Sequence, residues 1–152
     1  MLLSALHNEF AAVSRFIETL QREQTALVNI DVDQLITISA EKTKQAERLE
    51  ALAQARATEL KAAGVEIDRA QIAAWLESQP REIASAWSKL IEAAKLAQQL
   101  NQTNGKLIET QLQNNQQALN TLIGASNQSA VYGADGQART SISTSQRTLG
   151  KG

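Results

Sequence analysis

Between Leu3 and Leu27 apolar side chains recur at alternating steps of three and four: Leu3, Leu6, Phe10, Val13, Ile17, Leu20 and Leu27, with Gln24 the one polar residue in the stripe. That spacing follows the period of an α-helix and gives it one face that must be buried. Strand-type alternation never runs for a useful length, and before Gly124 only Gly64, Pro80 and Gly105 interrupt a sequence rich in Leu, Ala, Gln and Glu. The expected fold is all-α: an antiparallel bundle of long helices, with an extended third long helix and a disordered C-terminal tail.

The first helix is predicted over 3–28. A second stripe, Leu35, Ile38, Lys42, Gln45, Leu49, Leu52, Arg56 and Leu60, predicts a helix over 32–63 with a more polar middle, ended by Gly64 in the left-handed conformation. Asp31 stands as N-cap three residues before Gln34, with Ile30 and Leu35 spaced as a hydrophobic staple. The same grammar in Ile67, Asp68 and Gln71 opens a short helix over 69–78. Pro80 suits the first turn of a last helix over 81–123, where its missing N–H is harmless.

That last helix carries Ile83, Trp87, Leu90, Ala94, Ala97, Asn101, Asn104, Ile108, Leu112, Asn115, Leu119 and Leu122 on one slowly drifting stripe, and Gly124 is placed to close it. Its roughly 40 residues would span about 60 Å, against about 39 Å for the first helix. From Ala125 the sequence turns to Ser, Thr, Gln and Gly, too poor in large apolar residues to offset its ordering entropy. The expected organisation is a helical domain over 1–124 and a flexible Ser/Thr/Gly-rich tail over 125–152.

The chain has a net charge of −1 with both signs interspersed, so no field gathers nucleic acid or an anionic membrane. It has no cysteine, which removes disulfides and thiolate chemistry and suits a reducing compartment. The initial run from Met1 to Leu6 ends at His7 without a basic region before it, and no apolar stretch approaches the roughly 20 residues of a membrane-spanning helix. His7, the single histidine, lies among Leu6 and Asn8 with no metal-ligand spacing nearby. Paired carboxylates such as Glu47 and Glu50 fall among Lys44 and Arg48 on a solvated face. Nothing points to catalysis, a metal or a cofactor.

Two stretches stand out. Asn101-Gln102-Thr103-Asn104-Gly105 sets amides and a glycine into an apolar helical stripe, where Gly105 costs about 1 kcal/mol relative to Ala. Either the amides fix helix register or the seam there faces solvent. Alternatively, this stretch with Leu107, Ile108, Leu112, Leu119 and Leu122 forms a groove for a partner's amphipathic helix. Tyr132, the single tyrosine, sits in Val131-Tyr132-Gly133-Ala134-Asp135-Gly136 either incidentally or as the anchor of a short linear motif.

Taken in order, these features resemble the FlgN family: Glu23, Leu27, Asp31, Leu35, Lys42, Leu49 and Arg56 across the first hairpin, then Trp87, then Asn101, Asn104, Gly105 and Ile108, then Tyr132, Gly133 and Gly136. The resemblance spans nearly the whole chain. It implies a cytoplasmic type III export chaperone without catalytic activity, which holds hook-associated (hook-filament junction) proteins and delivers them to the flagellar export gate or export ATPase complex. It implies that the last helix and tail receive the C-terminal helical segment of the cargo, with Asn104, Gly105 and Ile108 in the cargo region, and that Tyr132 and Gly133 dock at the gate. Leu112, Leu119 and Leu122 complete the expected cargo surface. The competing classes are a generic coiled-coil adaptor or structural helical protein and, third, a histidine phosphotransfer domain using His7.

Overall fold

The computed structural model describes residues 1–66 and 68–131, with side chains as far as 127. Its elements are α1 (Leu2–Asn29), α2 (Val32–Ala62), α3 (Arg69–Glu77) and α4 (Arg81–Val131), with no strand among the described residues. The chain divides into two units, Met1–Ile108 and Glu109–Gly152.

In the first unit α1 packs with both α2 and α4. Its expected stripe holds: Leu6, Val13, Leu20 and Leu27 are buried and Leu3, Phe10 and Ile17 half-buried. Leu6, Val13 and Leu20 pack with Ala86, Leu90 and Ala97 of α4. α2 runs alongside α1 but buries only Ile38 and Leu60 completely, because its seam is interrupted by Lys42, Gln45 and Arg56. The apolar core is therefore chiefly an α1–α4 contact, with Leu49 of α2 at its edge. Within α4 the buried or half-buried seam is Ile83, Ala86, Leu90, Ala93, Ala97, Leu100, Asn104 and Leu107. This three-and-four alternation departs from the expected stripe at Ala94, Asn101 and Ile108, which are exposed while Ala93, Leu100 and Leu107 take their places; Trp87 is half-buried beside Ala86 and packs against the core, and three of the seam residues are alanines. Small residues there let the helix axes approach.

The joints obey the local rules. Asp31 caps α2 by accepting from Gln34 N–H at 3.2 Å. Gly64, at φ 78, ends α2 in a Schellman motif: its N–H donates to Lys61 O and that of Val65 to Leu60 O, each at 3.0 Å, while Leu60 and Val65 close the turn as a buried pair. Pro80 lies just before α4 rather than in its first turn, and its carbonyl accepts from Ile83 and Ala84. Asp68 precedes α3 in an extended conformation but makes no capping bond with its side chain.

One boundary differs clearly. Gly124 does not close α4, which continues to Val131. An apolar residue that folds back and is buried favours a helix stop at glycine, as Val65 does after Gly64; Ala125 and Ser126 offer no such residue after Gly124. The remainder of the expected tail, 132–152, lies outside the described residues.

Leu20 is wholly buried at the α1–α4 contact. Leu20→Ala is expected to lower the unfolding free energy by about 2–5 kcal/mol, measured by urea denaturation followed by circular dichroism; a loss below about 0.5 kcal/mol would remove it from the core.

Candidate functional site

The polar residues that interrupt the α2 seam are matched on α1. Arg56 donates to Glu9 twice, Nε to Oε2 at 2.6 Å and Nη2 to Oε1 at 3.2 Å, and its guanidinium carbon lies 5.3 Å from the ring centroid of Trp87 on α4. Two heptads along each helix the pattern returns. Lys42 donates to both oxygens of Glu23 and to Asn101 Oδ1, all at 3.1 Å. Between the two layers Gln45 donates to Thr19 Oγ1 at 2.9 Å. Each charged layer thus joins all three long helices, an acid from α1, a base from α2, and an aromatic ring or amide from α4. Bidentate geometry and low exposure of the carboxylates make such pairs stronger than surface ones.

Asn104 completes the second layer. It is 1% exposed, and its Nδ2 donates to Leu20 O and to Glu23 Oε2, both at 2.8 Å. Two acceptors on one side fix the amide orientation, since only the NH2 group can serve both. Asn104 thus sits in the seam, its donor group turned inward. Gly105 is exposed, and a Cβ there would meet nothing within 4 Å, so no close approach requires glycine. Ile108 is exposed at the end of the first unit.

In the second unit Leu112, Leu119, Leu122 and Ile123 are all exposed. Steps of seven and three place Leu112, Leu119 and Leu122 on one face of α4. No charged residue occurs between Glu109 and Asp135; the surface around the leucines is built from Gln, Asn and Thr. Such a face can bind by apolar contact and amide hydrogen bonding, with little electrostatic steering. Tyr132 and Gly133 lie outside the described residues.

His7 is exposed and lines an open cleft with Leu3, Phe10, Arg81 and Lys89. Among the described residues no three His, Cys, Asp or Glu side chains gather as a metal site would, and no helix is long and apolar enough to cross a membrane.

The arrangement is that of a helical scaffold displaying an uncharged apolar face, and comparison with known proteins says which scaffold. The profile of the family described as FlgN protein matches residues 1–140. The chain belongs to the FlgN family. The flagella synthesis protein FlgN of Salmonella typhimurium strain LT2 is 31% identical over 144 residues, covering 93% of this chain and 91% of that protein. The FlgN of Salmonella typhi matches to the same extent. A crystal structure from Pseudomonas aeruginosa, also named for flagella synthesis protein FlgN, superposes with a TM-score of 0.63 at 24% identity, over 70% of this chain and 85% of that one; this likeness speaks to the fold.

Sequence reasoning marked Glu23, Lys42, Arg56, Trp87 and Asn101 as parts of a FlgN-like pattern but did not pair them. Glu9 and Thr19 were not singled out by it. The available signal was the heptad interval separating Glu9 from Glu23 through Phe16, run in the opposite direction by Arg56, Leu49 and Lys42.

Glu23→Ala is expected to cost about 1–3 kcal/mol of stability, because it removes the carboxylate partner of Lys42 and one of the two acceptors of the buried Asn104 amide. A double-mutant cycle of Glu23→Ala with Lys42→Met should give a coupling energy above about 0.5 kcal/mol; additive losses would mean the two side chains act independently.

Proposed function

We propose that this FlgN-family chain is a cytoplasmic, non-catalytic export chaperone that binds the C-terminal helical region of hook-associated proteins and delivers them to the type III export gate or its ATPase complex. The observation that carries this reading is the set of exposed leucines on α4, Leu112, Leu119 and Leu122, in a stretch with no charged residue after Glu109. An aliphatic stripe at helical spacing suits the apolar face of another helix, which it would cover as in a coiled coil. The flagella synthesis named for the Salmonella relatives gives the setting. Binding and release of this kind need neither cofactor nor metal, nor contact with nucleic acid or insertion in a membrane.

In this proposal Ile108, Leu112, Leu119 and Leu122 touch cargo. Asn104 and Gly105 belong to the same region in different capacities: Asn104 ties α4 to α1, and Gly105 keeps the adjoining exposed surface free of a side chain. Residues 1–124 form the cargo-holding body and 125–152 carry the docking motif, with Tyr132 and Gly133 at its centre.

Replacing Leu112 and Leu119 together by Asp should weaken binding of a hook-associated protein's C-terminal helical segment at least about tenfold, with helicity unchanged by circular dichroism. Unaltered affinity in the folded double variant would place the cargo site elsewhere.

Tyr132→Ala should leave fold and cargo binding intact while reducing affinity for the export gate by about 1–3 kcal/mol. Titrating both partners against wild type and variant decides this. Equal losses would assign Tyr132 to the cargo site, and no loss to either would make it incidental.

A further inference from the structure

α1 and α2 are joined by Ile30 and Asp31 alone. The turn is a second Schellman motif: Ile30 N–H donates to Leu27 O at 3.3 Å and Asp31 N–H to Ala26 O at 2.9 Å. Its left-handed position, φ 55 and ψ 42, is held by isoleucine. At the equivalent place after α2 the chain uses Gly64. A β-branched residue is the poorest choice for this conformation, and here burial does not compensate, for Ile30 is 69% exposed. Val28, Val32 and Ile36 beside it are also exposed, with Val32 and Ile36 one turn apart on the same face of α2. The fold alone would be better served by glycine at position 30 and polar residues around it.

The surroundings are acidic. No lysine or arginine lies between Glu23 and Glu41; those two are bridged by Lys42 and Arg22, leaving the exposed Asp31 and Asp33 at the apolar tip. We infer that the α1–α2 tip is a docking surface for an amphipathic helix of another protein, one with an aliphatic face flanked by Lys or Arg. Stiff β-branched side chains on a hydrogen-bonded turn lose little freedom on binding, and the two carboxylates complement basic flanks. A second copy of this chain is disfavoured as occupant, because pairing two tips would bring four carboxylates together with no local base. The surface uses none of the residues assigned to cargo, and differs from the cargo face in being charged.

The test uses the full chain and a synthetic helical peptide of about five turns with a Leu/Ile face and Lys flanks, against a control peptide carrying Glu for Lys. Amide shifts by NMR should centre on residues 28–36, the Glu peptide should bind at least about tenfold more weakly, and added salt should weaken the Lys peptide. Ile30→Gly should raise the thermal midpoint while lowering peptide affinity about tenfold. Ile36→Ser, at an exposed helical site, should show the same loss with unchanged helicity, and decides the matter if the glycine variant misfolds. Shifts confined to residues 109–127, or wild-type affinity in either folded variant, would overturn the proposal. So would a wild-type dimer by sedimentation that Ile30→Gly dissolves, which would assign the tip to a second copy.

Discussion

A single buried carboxylate, that of Glu23, holds the three long helices of the first unit in register. It accepts from Lys42 of α2 and from Asn104 of α4, and Asn104 donates as well to the backbone of α1 at Leu20. Removing charges from water costs several kcal/mol per ion, so such a layer is weak evidence for net stability. Its clearer effect is on alternatives. Sliding α2 by one heptad would set the Glu9 carboxylate opposite Leu49 and strand Arg56; sliding α4 would remove the amide from Glu23. The Glu9, Arg56 and Trp87 layer repeats the constraint two heptads away, so a shift of any one helix breaks both layers.

This division of labour explains the unusual weighting of the core. The fully buried apolar cluster joins α1 to α4, whereas α2 buries Ile38 and Leu60 near its ends and between them sets half-buried Leu49 and Leu52 among Lys42, Gln45 and Arg56. A seam in which directional hydrogen bonds replace some of the aliphatic contacts is more selective about register but contributes less to the free energy of folding than an aliphatic seam of the same length.

Much of the fold was legible in the sequence because local signals are local: the α1 stripe, the Asp31 cap and the Gly64 stop depend on neighbours within a turn or two. What escaped depends on partners far along the chain. Glu9 and Thr19 carry no local sign of burial until Arg56 and Gln45 are brought beside them, and the α4 seam runs through Ala93, Leu100 and Leu107 rather than Ala94, Asn101 and Ile108, because the expected stripe was carried forward from Trp87, which lies half-buried at the seam's edge. Gly124, unlike Gly64, has no apolar residue just beyond it to favour a helix stop. Of the candidate site, the exposed leucines could be anticipated from helix length. The inward turn of the Asn104 amide could not, since an asparagine in a stripe reads the same whether it faces a carboxylate or water.

α3 has no fully buried residue, with Ile72, Trp75 and Leu76 only half-covered. A segment that removes so little surface from water opens at small free-energy cost, so its amides should lose hydrogen-exchange protection far below the global unfolding limit. Such segments also accept insertions most readily. The connection between α2 and α4 is then where this architecture can lengthen, shorten or host an extra module over evolutionary time, while the two polar layers hold the spacing of the long helices constant.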